Sequence, residues 1–375
     1  MLQRVMVCML LFGVLFVMKL PLFRGNRVDA SYGALIMAVG IFFIGATTRF
    51  SFSMELPAYV VDFLLVMTWA LLVAAFMQAA FKGVFRRRYL THPVQSFAVG
   101  TWVAGTSILC LVLVKQFPVY KEVISLISLL NGGLWLFYFI LCLKCYKVII
   151  ESKYYERIHG VLFLSTVSKQ SLVILYSTLF ENQILQAVSR GMLYLGIIFY
   201  VLNFFLMIKR YCFFRGWSVS EDWKNTNCIV HGAMSITGIA SIMSGVFSTH
   251  VIFFIWVWVI VWFVIIEGIE VWRLVTRLKN YSLQKAAGTY HVSQWARNFT
   301  FGTFYVFTLN IDLSKTVYGP EPLFLFIQQL VIEGGLAVLV CLLVIESSLF
   351  FKDTLPWRES RLLLTPILKR SLPFQ

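Results

Sequence analysis

Three cations sit where hydrocarbon is expected. Lys169 lies midway along an apolar run over 160–180, Arg297 near the start of another over 294–313, and His231 near the start of a third over 228–247. A charge at the centre of a bilayer costs at least about 2.5 kcal/mol, so such residues face a cavity or a partner. Carboxylates are placed in the same way: Glu267 and Glu270 in the run over 251–270, Glu333 in the run over 323–348. Two compatible chemistries follow. Cations lining a cavity attract small anions and repel cations, whereas cations meeting the carboxylates neutralise them across a helix interface. Glu333, Glu267 or His231 would also serve as a titrating group, since an intramembrane carboxylate or imidazole is able to exchange a proton.

The elements that hold these groups are read from composition. Hydrophobic residues make up 59% of the 375 and charged residues 13%, with mean hydropathy +0.81. Soluble domains run at about 45–50% apolar and about 25% charged, so the chain is read as an all-α, polytopic membrane protein. A spanning helix needs about 20 mainly apolar residues. Ten such runs are present, over 31–50, 59–81, 97–114, 124–143, 160–180, 189–208, 228–247, 251–270, 294–313 and 323–348. They are continuous rather than alternating, which argues against an outer-membrane barrel. A further apolar stretch, "VMVCMLLFGVLFV" over 5–17, follows Arg4 without a small-residue cleavage site and reads as an uncleaved extra or interfacial helix. The expected organisation is an N-terminal hydrophobic segment (1–30), a ten-span domain (31–351) and a basic tail (352–375).

Charge sets the orientation. Segments 82–88, 144–157, 209–224 and 273–285 carry four Lys or Arg each, while the alternate connections carry none to two. Cytoplasmic loops accumulate these residues, so both the start of the first span and the C-terminus are expected in the cytoplasm. The net charge of +15 then faces anionic lipid rather than nucleic acid. The cysteines fall in apolar segments or on the same side, and Cys142-x-x-Cys145 alone is weak evidence for metal or redox work.

Odd and even spans differ. "SYGALIMAVGIFFIGATTRF", "SFAVGTWVAGTSIL" and "HGAMSITGIASIMSG" are rich in small residues, and "GVLFLSTVSKQSLVILYST" in hydroxyls, whereas even spans are bulky, as in "IFFIWVWVIVWFVII". Small residues let helices approach closely inside a bundle. The expected architecture is therefore five helical hairpins, each giving one inner and one outer helix around a central pore, with Lys169, Arg297 and His231 all on inner helices.

These features resemble the tellurite-resistance/dicarboxylate transporter family, which includes bacterial TehA-type channels, fungal malate permeases and sulfite pumps, and the plant guard-cell slow anion channel. The resemblance rests on "YGALIMAVGIFFIG", on "THPVQSFAVGTW", and on "WARNFTFG", which is similar to the family's W-x-x-x-F-P-x-G. It implies that Phe299 projects into the pore as an occluding ring, with Gly302 giving it room three residues on. It also implies passage of small inorganic or organic anions, no bound cofactor, and a homotrimer in the plasma membrane. Thr300 departs from the family's proline, and none of the nine prolines lies inside a span. Helix bends would then fall to Gly40, Gly105, Gly238 or Gly302, or to Ser and Thr back-bonding.

Two functions fit: an anion channel with an aromatic gate, or a proton-coupled C4-dicarboxylate or sulfite transporter using Glu333, Glu267 or His231. An embedded enzyme is disfavoured, because H-E-x-x-H and G-x-S-x-G are missing and the five histidines fall near span ends or in loops.

Overall fold

A computed structural model describes residues 28–49, 55–316 and 321–354. The N-terminal stretch 5–17 and the tail beyond 354, for which a helix and a membrane-surface segment are expected, lie outside the described residues. Those described are helical, with no strand among them. Ten long helices follow in order: α1 (Gly33–Arg49), α2 (Glu55–Phe81), α3 (Gly100–Gln116), α4 (Lys121–Glu151), α5 (Leu164–Leu179), α6 (Gln183–Ile208), α7 (Ile229–Ser244), α8 (Thr249–Asn280), α9 (Gln294–Asn310) and α10 (Pro322–Thr354).

The odd helices close a ring: α1 packs on α3, α3 on α5, α5 on α7, α7 on α9, and α9 back on α1. Each even helix lies in the groove between its own odd partner and the next. The inner helices are 16–17 residues long, the outer ones 26–33. Burial follows the same division. The span containing α5 is 94% buried, and the span containing α10 is 11% buried.

Small residues close the ring because side chains would hold it open. A Cβ on Gly33 would lie 2.5 Å from the Thr101 carbonyl oxygen of α3, and one on Gly302 would lie 2.5 Å from a methyl of Ile41 on α1. Gly40 faces Ile108, Gly105 faces the Gly33 carbonyl, and Gly238 faces the Phe307 ring. The glycines expected to bend helices therefore stand where inner helices touch. The notch at Gly302, expected to receive the Phe299 ring, is filled by Ile41. The inner hydroxyls bond back along their own helices, as in Ser107 to the Val103 carbonyl, Thr237 to Ala233 and Thr308 to Phe304.

Among the described residues, nine helical stretches are long and apolar enough to cross a membrane. The ten expected runs all form helices, but α9 stops at Asn310 with 17 residues, about 26 Å at 1.5 Å per residue. Twelve of its residues are buried. Enclosed by protein, α9 tolerates the Arg, Asn and Thr that a lipid-facing helix would not.

Short 3-10 turns precede four inner helices on the end that carries the basic loops: Ala30–Tyr32, Gln95–Val99, Gly160–Phe163 and Asn225–Cys228. Neighbouring turns touch in sequence and form a collar. Side chains tie it together. The Gly160 amide donates to Asn227 Oδ1 at 2.8 Å, and Thr101 Oγ1 and Trp102 Nε1 both donate to the Ala30 carbonyl.

Candidate functional site: an apolar waist beneath a basic vestibule

Below the collar lies a cavity of about 20 Å³ lined by Ala34 and Met37 of α1, Thr101 of α3, Leu164 of α5, Ile229 of α7, and Ala296 and Phe299 of α9. All five inner helices contribute, and the ring is closed, so the cavity is on its axis. Its volume is that of about one water. Phe299 is 1% exposed, and among the described residues no other aromatic ring pairs with it. The other phenylalanines of α9 are packing residues. Phe301 and Phe304 meet Phe263 of α8 at 4.9 and 5.0 Å between centroids, and Phe307 fills the space at Gly238. Helical phase explains the division, because Ala296 and Phe299 share a face three residues apart. At the family's proline position, the methyl of Thr300 packs onto Gly232 of α7, and its Oγ1 donates to the Arg297 carbonyl.

Ser31, Val161, Thr226 and Ser293 border both this waist and a vestibule of about 850 Å³. Arg88, Lys224, Arg273 and Arg277 line the vestibule, against Asp29 and Glu221. His92, His159 and His291 line it too, although the sequence shows them only as histidines near span ends or in loops. The loops bring them to one level. Burial, and then the charges of Arg210 and Lys224, push His159 down to about 3, and burial first of all lowers His291. Arg88, Lys224, Arg273 and Arg277 supply positive potential to the vestibule. Among the described residues no three metal-ligating side chains come together.

The cations expected around the axis point away from it. Arg297 Nη2 meets Glu270 Oε1 at 2.7 Å, and its Nε lies 3.8 Å from Glu267 Oε2. His231 Nε2 is 3.5 Å from Glu267 Oε1. The chain of contacts continues from Glu270 to Arg273 at 3.3 Å, to the Trp223 indole at 3.1 Å, and from Arg273 to Asn225 at 2.6 Å. This network fills the seam between the α7–α9 pair and outer helix α8. Of the two chemistries read for these residues, pairing with carboxylates is the one formed.

Lys169 is fully buried and also faces outward. Its Nζ donates to the Ser165 carbonyl at 2.6 Å and sits 3.7 Å from the Phe199 ring centroid of α6 and 5.7 Å from that of Phe139 on α4. Around it Tyr146 donates to Asn203 Oδ1 at 2.6 Å, and Asn203 donates to Ser165 Oγ. Glu333 is exposed on outer helix α10 and accepts from Gln329 at 2.8 Å. Neither group lines the waist, because each sits on the wrong face or the wrong helix.

Sequence reasoning missed Tyr146 and Asn203, ordinary in isolation, and Arg210, counted only as a loop charge. Comparison with curated proteins gives no match. Residues 27–347 match the model for the voltage-dependent anion channel (SLAC1) family, more than four fifths of the chain. With its multi-pass helical ring, the chain belongs to the voltage-dependent anion channel family.

Proposed function

We propose that this member of an anion channel and transporter family passes small anions along the axis of the inner ring, and that Phe299 is the plug. The observation that carries the reading is the axial waist. Phe299 stands, without a stacking partner, in a cavity of about 20 Å³ to which all five inner helices contribute. The basic vestibule above it raises the local anion concentration, an effect that falls with ionic strength. The vestibule end, which carries the basic loops, faces the cytoplasm in this reading, and the plasma membrane and a homotrimer with one pore per subunit follow the family resemblance. Lys169, Arg297 and His231 act on permeation only through the structure they hold, since the waist itself is apolar.

The test is flux in liposomes with chloride, nitrate, sulfite and malate. Phe299→Ala raises flux severalfold, whereas a folded Phe299→Ala protein no more active than wild type removes the plug from the account. A second reading, proton-coupled transport of dicarboxylate or sulfite, is favoured by the His231–Glu267–Arg297 contacts, which place a titratable pair beside an inner helix. Coupling then rests on Glu267 and His231, because Glu333 faces outward. Collapsing the pH gradient halts flux in that case and leaves channel flux unchanged.

A further inference from the structure

Beside the vestibule is a second cavity, of about 520 Å³, bounded by the loops after α2, α4 and α6. It shares His92, Gln95, His159 and Lys224 with the vestibule but lies off the axis. Four cations line it, Arg157, Arg210, Arg215 and Lys224, against two carboxylates, Glu156 and Asp222. Asp222 is already engaged, because its Oδ2 accepts from the Ser218 amide at 2.8 Å. An excess of two positive charges is left.

Arg210 sets this cavity apart from a solvated basic patch. It is 7% exposed, and among the described residues its Nε has no hydrogen-bond partner and no carboxylate lies within ion-pair distance of it. A buried guanidinium without an anion is costly, since an unbonded donor loses water, and the contact Arg210 does make, over the Tyr211 ring at 5.1 Å, supplies no anion. Its backbone is distinctive as well. Arg210 stands in a π-helical turn, Lys209–Phe213, that closes α6, and such turns recur at functional sites. The turn is braced from behind, with Asn227 donating to the Tyr211 hydroxyl at 2.9 Å and Trp217 donating to the Tyr211 carbonyl at 3.1 Å. Arg210 and Lys224 both depress His159, after burial, so their fields converge in this space.

We infer that this off-axis cavity is a binding site for a phosphate group, held by Arg210 with Arg215 and Lys224 around it. The guanidinium fork matches the paired oxygens of a phosphate. A phosphate dianion also balances the excess charge, and the volume is that of a small-molecule site rather than a halide pocket. A soluble phosphate ester and a phosphoinositide headgroup present the same chemistry.

The experiment uses the full chain in phosphatidylcholine nanodiscs near neutral pH at fixed ionic strength. One arm titrates inorganic phosphate, and the other compares discs with and without phosphatidylinositol phosphate, both read by the unfolding temperature and by calorimetry. A saturable rise in the first arm identifies a soluble phosphate, and a rise in the second alone identifies a headgroup. In the responding arm Arg210→Gln weakens binding by about tenfold or more, the loss expected when one charged hydrogen-bond donor is removed. Arg215→Gln, at an exposed position, weakens it severalfold, and Phe299→Ala leaves it unchanged, which separates this site from the plug. No saturable response in either arm up to millimolar phosphate, or an equal response in wild type, Arg210→Gln and Arg215→Gln, overturns the inference. Should Arg210→Gln fail to fold, the Arg215→Gln result decides.

Discussion

Two seams between the inner and outer rings bury a cation, and they solve the problem differently. At α7–α8–α9, Arg297 is matched by Glu267 and Glu270 within a chain of ion pairs. At α4–α5–α6, Lys169 has a carbonyl, two aromatic rings and no ion pair with a carboxylate among the described residues. Both stand on inner helices, and both turn their charge away from the axis. The difference teaches that a cation on an inner helix marks an inter-ring seam before it marks a pore. The waist between the seams is apolar, so in the proposed function charge selection belongs to the vestibule.

The largest effect that would break the comparison is at Arg297. Arg297→Leu leaves the part-buried Glu267 facing only the His231 ring and Glu270 with Arg273 alone for a cation, and losing one partner of a fully buried ion pair costs about 3–5 kcal/mol, an upper bound here. Unfolding in mixed detergent micelles reads this loss. Adding Glu267→Leu recovers part of it, because an apolar pair tolerates the seam better than a lone carboxylate. If Arg297→Leu is as stable as wild type, the ion chain does not hold the seam.

Much of this was legible in the sequence. Small residues in odd runs and bulky ones in even runs already separate the rings, since helix approach and lipid contact ask for opposite side chains. The four basic segments mark one end, and pairing of Arg297 with a carboxylate across helices was one of the two chemistries that the sequence left open. The direction of Lys169 was not legible. One cation on a hydroxyl-rich helix gives no rotational phase, and Phe139 and Phe199 look like ordinary lipid-facing rings. The vestibule was hidden for another reason. His92, His159 and His291 sit in three loops more than 60 residues apart, and only ring closure brings them together.

His159 shows a third way to manage positive charge at a part-buried position, which is to remain neutral. His159 titrates near 6.5 when exposed and is pushed down to about 3 in the fold. Its folded value is the lower one, so the unfolded chain binds more protons between these limits, and stability rises with pH across that window. Above about pH 6.5 its contribution is level. His159→Gln therefore flattens the fall in unfolding temperature between about pH 6.5 and pH 4.5. The effect is smaller than that at Arg297, because the ring is half-buried and partly screened by water. A wild-type curve that shows no fall on acidification, or a variant curve of the same slope, shows that the fold does not hold His159 neutral.

The smallest effect, and the sharpest test of the comparison, is Lys169→Met. Removing the ammonium forfeits its contact with Phe199, with a worth of about 0.5–2 kcal/mol, and a hydrogen bond to Ser165. Against that loss, desolvation of the charge no longer has to be offset, and a thioether of similar length packs well against aromatic rings. No carboxylate is orphaned, in contrast to Arg297→Leu. The net change in stability is expected within about 1 kcal/mol, the difference between these opposed terms, and anion flux is expected unchanged because Lys169 does not reach the waist. Lys169→Glu runs the other way, placing a negative charge against the ring faces and the Ser165 carbonyl, and it destabilises strongly. A Lys169→Met protein that unfolds like wild type yet loses flux would return the cation to the pathway and reverse the reading of this seam.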